Sequence, residues 1–306
     1  MIMKRFISIF AAFVMAALPL AAAEETAVWV EEKTYNKLDS FDAVQASWIY
    51  KIELTQSRNQ SVKIEAPDFA MPYLVVKVKR SCLILDMEDM PLKLRRKLET
   101  GRHEIRAYVS MKKLSGINMS GATKLEAIGE FHPADDLFEL CLSGASSVKS
   151  LNITAPRANI ECSGASKFQM EGKLKEVKAE LSGAANGTIG TDSKKMDLDL
   201  SGAAKLKVYG NQEKVRILAS SAANLNMEGT AEQLTLTGSG AAKIDMLDCP
   251  VLWANVGLSG ASNMRLEVHE SLGVRLSGAS TCQYRAGNNL QIVETDVARG
   301  STLRKL

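Results

Sequence analysis

Beyond its N-terminal 25 residues this chain has no stretch approaching 18 consecutive apolar residues, so no transmembrane helix is expected. Neither charge is in excess: 38 Lys and Arg against 35 Asp and Glu leave a net charge of +3. That balance gives no bulk electrostatic case for nucleic acid or acidic lipid as a partner. Histidine is scarce, and His103, His132 and His269 are widely separated. No GxSxG, HExxH, P-loop or dinucleotide fingerprint occurs. Without a convergent set of catalytic groups the expectation is a non-enzyme with no cofactor and no metal site. Cysteine is also sparse: Cys82, Cys141, Cys162, Cys249 and Cys282 are odd in number and show no CxxC spacing. They read as small hydrophobic residues, with Cys162 and Cys282 in core positions and Cys141 facing outward. Export would permit one disulfide, but no pair is selected.

What is present begins with an address. Lys4 and Arg5 precede an apolar run from Phe6 to Leu18, and Ala21-Ala22-Ala23 supplies small residues before Glu24. Residues 1–23 read as a secretory signal peptide, cut after Ala23. A membrane anchor is the alternative, for which the run is short. No cysteine follows the run, so lipoprotein attachment is not indicated. The mature chain is expected in the periplasm, on the outer surface or outside the cell.

The dominant feature is a repeated triplet. Ser-Gly-Ala occurs as Ser120-Gly121-Ala122, Ser143-Gly144-Ala145, Ser163-Gly164-Ala165, Ser182-Gly183-Ala184 and Ser201-Gly202-Ala203. It returns as Ser239-Gly240-Ala241, Ser259-Gly260-Ala261 and Ser277-Gly278-Ala279, and Ser220-Ser221-Ala222 fills the gap. The steps are 23, 20, 19, 19, 19, 19, 20 and 18 residues. Such a period marks a solenoid. With the triplet Ser as position 0, positions −5, −3 and −1 are apolar, as in Val177/Ala179/Leu181 and Met196/Leu198/Leu200. Positions +5 and +7 are mainly apolar as well, as in Leu206/Val208 and Ile244/Met246. Alternation with period two means strands with one buried face on either side of the triplet. A helical repeat would need spacing of i, i+3, i+4 instead; a propeller needs about twice the period, and a sandwich is the other alternative. The fold class expected is all-β: a single-stranded parallel β-helix of about 19 residues per coil. Right-handedness follows from the general preference of parallel crossovers.

In this reading Gly at +1 turns a tight corner, Ser at 0 satisfies backbone freed by the bend, and Ala at +2 points into a narrow inner corner. A further glycine near +8 or +9 (Gly129, Gly172, Gly190, Gly210, Gly229) marks a second corner.

Residues 24–115 lack the triplet but alternate in places, and read as strands that cap or start the same solenoid. Residues 86–102 break the pattern with Lys93, Arg95, Arg96 and Lys97, and read as an inserted loop with a basic tip. That tip is either solvated or a docking site for an acidic or anionic-glycan partner. The triplet solenoid then runs over residues 116–306 with a degenerate C-terminal cap.

Phe41-Asp42-Ala43-Val44, Ile52-Glu53-Leu54-Thr55-Gln56, Ser61-Val62-Lys63-Ile64-Glu65-Ala66, Leu83-Ile84-Leu85 and Leu114-Ser115-Gly116-Ile117 precede the Ser-Gly-Ala ladder in that order. Together they resemble the putative auto-transporter adhesin, head-GIN-domain family of secreted bacterial proteins, over roughly residues 38–285. Gln56-Ser57-Arg58 departs from the family, whose members usually carry Gly after the Gln, and the basic insertion departs as well. The resemblance implies a β-helical protein of the cell envelope.

Two surface columns are candidate binding sites. Glu161, Glu180 and Asp199 share position −2 of successive coils, and stacked carboxylates repel unless compensated. Lys178, Asp197 and Arg216 in column −4 could neutralise them by diagonal salt bridges; calcium is the other reading. Column +4 carries Lys167, Lys205 and Lys243 alternating with Asn186, Asn224 and Asn263, a polar face able to stabilise the ladder or to meet a glycan. The functional expectation is adhesion, or binding of a glycan or cell-surface protein. A polysaccharide-degrading enzyme and a structural module that self-associates through its solenoid ends are the alternatives.

Overall fold

The computed structural model describes residues 30–100 and 103–306. The expected signal peptide lies outside the described residues, as do residues 101–102 of the insertion. The chain is nearly all-β and winds into a parallel β-solenoid of about 10 turns. From residue 116 onward strands pair in parallel with the coils before and after them, as where Lys205–Ala219 pairs residue by residue with Asn224–Gly238. The core is one continuous apolar column, because positions +5, +7, −5, −3 and −1 of each coil point inward: in one coil Leu206, Val208, Val215, Ile217 and Ala219 are all buried.

The first coils are built differently. Strands β2 (Ala43–Ala46) and β3 (Tyr50–Gln56) already stack in parallel on later coils. Around them, β1 (Val30–Thr34) and β4 (Ser61–Pro67) pair antiparallel with each other. Strands β5 (Leu74–Lys79) and β6 (Cys82–Met87) form an antiparallel hairpin, and β4 also runs antiparallel to β7 (Ile105–Met111). Residues 86–102, read from sequence as a loop, contain helix α1 (Leu92–Thr100). Its Leu98 is buried, and two of its four basic residues are engaged: Arg95 stacks 4.2 Å from the Trp48 ring and Lys97 sits 4.7 Å over Phe69. Such cation–π contacts hold the helix against the solenoid.

The triplet corner is a two-layer device. Gly202 has φ +68°, and a Cβ built on it would lie 2.7 Å from the carbonyl oxygen of Gly183 in the coil before. The corner therefore stacks backbone on backbone. Ala203 N–H donates to that same Gly183 oxygen at 2.7 Å, and the bond recurs at Ala145, Ala165, Ala184, Ala222, Ala241, Ala261 and Ala279. Ser221, the one substitute for glycine, holds the same left-handed conformation at φ 60°.

One expectation is overturned here. The alanine at +2 does not point inward: Ala122, Ala145, Ala165, Ala184, Ala203, Ala222, Ala241, Ala261 and Ala279 are exposed. The inward corner residue is the next one, at +3: Thr123, Ser146, Ser166, Ala185, Ala204, Ala223, Ala242, Ser262 and Ser280 are all buried. The reason is the left-handed glycine, which rotates the chain so that +1 and +2 both lie outside before alternation resumes. The hydroxyl role moves with it. Thr123, Ser146 and Ser262 donate to the carbonyls of Ser120, Ser143 and Ser259 at 2.8 Å, whereas Ser220, Ser259 and Ser277 reach a carbonyl only at 3.4–3.5 Å.

The second bend is gentler, and in six coils a single strand of 14–16 residues runs through it, as Lys205–Ala219 does, while Asn186–Gly190 and Ser193–Leu200 are separated by a two-residue break. Gly129, Gly172, Gly210 and Gly229 take positive φ there, whereas Gly190 does not. Gly190 instead leaves room for the Tyr209 ring of the next coil, which a Cβ would meet at 2.2 Å.

Ala204→Leu should overpack the corner column and cost about 1–3 kcal/mol, while exposed Ala203→Leu should stay within about 0.5 kcal/mol of the parent. Paired thermal or urea melts check this ordering, and a reversed order would return the inward role to position +2.

Candidate functional site

The backbone register brings Glu161, Glu180 and Asp199 side by side, with Glu161 opposite Glu180 and Glu180 opposite Asp199. All three are exposed and line a shallow groove of about 400 Å³ together with Ser163, Ser182 and Ser201. Compensation differs from the expected diagonals. Lys178 binds Glu180 at 2.6 Å along the same strand, while Asp197 is held by Lys195 at 2.8 Å. Among the described residues neither Glu161 nor Asp199 has a basic group within salt-bridge distance, and Arg216 pairs with neither neighbour. No cluster of three or more His, Cys, Asp or Glu side chains gathers as a cation site among the described residues.

The Lys/Asn column also stacks in register: Lys167 beside Asn186, Asn186 beside Lys205, Lys205 beside Asn224, Asn224 beside Lys243. The three lysines are exposed and fall on every second coil, about 9.6 Å apart at the usual strand spacing. The triplet corner separates this column from the acidic one, so the structure does not bring the two candidate sets together.

A larger concavity lies at the second bend, at positions the sequence reading did not single out. Positions +12 and +13 break the alternation by facing outward in succession: Lys175-Glu176, Lys194-Lys195, Glu213-Lys214, Glu232-Gln233 and Leu252-Trp253 are all exposed. This doubled outward step raises one rim. The other rim is column +10, with Thr154, Lys173, Asp192, Asn211 and Thr230. Between them runs a trough of about 960 Å³. Its floor is column +11, where Ala155, Leu174 and Ala231 are apolar and Ser193 and Gln212 are polar but buried. Those polar groups are satisfied internally: the Ser193 hydroxyl donates to Gln212 Oε1, and Gln212 Nε2 donates to the Thr191 carbonyl at 2.7 Å. On the first rim, Asn211 N–H donates to Asp192 at 2.7 Å and Thr230 donates to Asn211 at 2.8 Å. The sequence signal was available: a pair of consecutive polar residues stands seven and six places before Ser182, Ser201, Ser220 and Ser239, where strict alternation would put one inside.

The cysteines take no part in these surfaces as reactive groups. All five are free thiols. Burial pushes Cys162 and Cys282 up to about 12 and Cys249 up to about 11, which keeps them protonated and unreactive. Cys141, half-buried in column −2 beside Glu161, is raised by burial first and then by the Glu161 and Glu139 charges.

Fold and surface together define an elongated parallel β-solenoid that presents repeated polar columns and one long trough; no helix among the described residues is long and apolar enough to cross a membrane. The chain belongs to the family described as putative auto-transporter adhesin, head GIN domain, which it matches over residues 40–210 and 186–288. Its fold is similar to that of a putative adhesin from Parabacteroides merdae, with a TM-score of 0.51 and 13% identity, covering 90% of this chain and 96% of the other. A putative adhesin from Parabacteroides distasonis is similar at a TM-score of 0.50 and 12% identity, over 91% of this chain and 98% of the other. No curated protein matches the sequence.

Because Glu180 is already bound by Lys178, and the column is spread along an open strand face, millimolar calcium should leave the melting temperature unchanged. A ligand that binds only the folded state would raise it. Differential scanning fluorimetry checks this. A calcium-dependent rise lost in Glu180→Gln would make the column a cation site.

Proposed function

We propose that this chain is an exported, non-enzymatic envelope protein that binds glycans in adhesion. The observation that carries the reading is the trough at the second bend. It is long, open and lined by hydrogen-bonding side chains above a floor of apolar residues and internally bonded polar ones, the make-up of a recognition site. Its buried polar groups are bonded to one another, so they rigidify the floor instead of offering a poised nucleophile or base. The family's description as adhesins and the N-terminal signal pattern support the same reading.

The acidic groove favours one rival. Three stacked carboxylates beside a row of serine hydroxyls could attack a glycosidic bond. Release of reducing ends from a polysaccharide panel, abolished when Glu161, Glu180 and Asp199 are neutralised together, would support that enzyme instead.

Purified protein on arrays of host-surface, matrix and cell-wall glycans should bind a limited set without consuming it. Replacing Lys175 and Lys194 in the rim by alanine should reduce the signal, while replacing Lys205 and Lys243 on the separate Lys/Asn face should not. Uniformly absent binding across such arrays would count against the adhesive reading.

A further inference from the structure

Building on that reading, we propose that the trough holds a single neutral, unbranched glycan chain lying along the solenoid axis, with Trp253 as a stacking platform at its open end. The shape sets the direction. Column +12 steps from Pro156 through Lys175, Lys194, Glu213 and Glu232 to Leu252, one residue per coil. At about 4.8 Å per coil that is a run of roughly 24 Å, close to the length of about five extended sugars. One end is walled by His132, Pro133 and Asp135, which belong to the longest coil, the 23-residue step between Ser120 and Ser143. Toward the other end column +12 continues to Leu252, with Trp253 next to it in column +13.

Trp253 is 46% exposed, the most exposed Phe, Tyr or Trp among the described residues. It stands beside Gln233 in the neighbouring column, one coil past the trough's lining. A large indole left in water, one column over from a polar groove and one coil past its lining, marks a contact surface beside that groove. The apolar face of a sugar ring is the partner such a platform fits, while its hydroxyls reach the rims.

Charge narrows the class. Three lysines line the trough against four carboxylates, with Lys173, Lys175 and Lys194 toward the walled end and Glu213 and Glu232 toward Trp253. A polyanion drawn to the lysines would meet the glutamates within about a Debye length, roughly 8–10 Å, and a polycation the reverse. Neutral hydroxyls can accept from the lysines and donate to the carboxylates along the whole run. A peptide strand is disfavoured by the backbone, because the coils here are paired on both sides and offer no free edge for strand addition.

The test is isothermal titration calorimetry of the full chain with linear neutral di- to hexasaccharides of glucose, mannose, galactose, xylose and N-acetylglucosamine, with a hyaluronan hexasaccharide as the acidic probe. At least one neutral sugar should bind, with affinity rising with length up to about five units. Trp253→Ala should weaken it about tenfold while leaving the melting temperature unchanged. Glu213→Gln should weaken it too, as an independent probe of the rim. If hyaluronan or another acidic glycan binds and every neutral sugar fails, the ligand class is wrong while the adhesive reading stands. If a neutral sugar binds equally well to both variants, the site is wrong. If no glycan binds here or on the broad arrays, the proposal fails together with that reading.

Discussion

Everything in this molecule depends on the corner where backbone stacks on backbone. A left-handed glycine turns the chain, and the alanine N–H that follows donates to the glycine carbonyl of the coil before, at 2.6–2.8 Å in turn after turn. No side chain fits between, since a Cβ at Gly164, Gly202 or Gly260 would meet a backbone oxygen at 2.7 Å. Ser221 shows what the exception involves: an L-residue in this conformation carries roughly 1–2 kcal/mol of strain, which the ladder around it offsets. Fixing one corner fixes the register of both adjoining strands, and a one-residue slip would turn every core side chain outward.

Register also creates the surfaces. Because equivalent positions stack, any polar position becomes a column, and the chemistry of a column is set by which residues recur there. Function is then expected where the alternation or the repeat is broken. The 23-residue coil supplies a wall, the doubled outward step at +12 and +13 raises a rim, and Leu252-Trp253 places apolar surface where other coils carry charge. Each departure lies at or beside the same trough. Some of the regular polar columns, by contrast, use their charges on each other, as Lys207 does with Glu228 and Arg265 with Asp245.

The solenoid was legible in the sequence because period-two alternation and a fixed glycine are backbone requirements that repeat. The path of the corner was not, since alternation alone cannot say which residue after a left-handed glycine re-enters the core. Ala203 therefore looked inward when Ala204 is. The trough was half legible: the paired residues Lys194-Lys195 and Glu213-Lys214 stand in plain view, but only the stacked coils show that they raise a rim. Helix α1 was missed because its basic run reads as solvated, and the rings that hold Arg95 and Lys97, those of Trp48 and Phe69, are distant in sequence.

The ladder makes an unusual demand on amide hydrogen exchange. Protection normally follows burial or secondary structure, yet here residues with exposed side chains, in a turn, are predicted to hold protected amides. In native-state exchange followed by NMR, the N–H groups of Ala165, Ala184, Ala203, Ala222 and Ala241 should exchange as slowly as those of the adjoining strands. Exchange of these five amides at the rate of an unprotected loop would contradict the corner ladder as the element on which the solenoid is built.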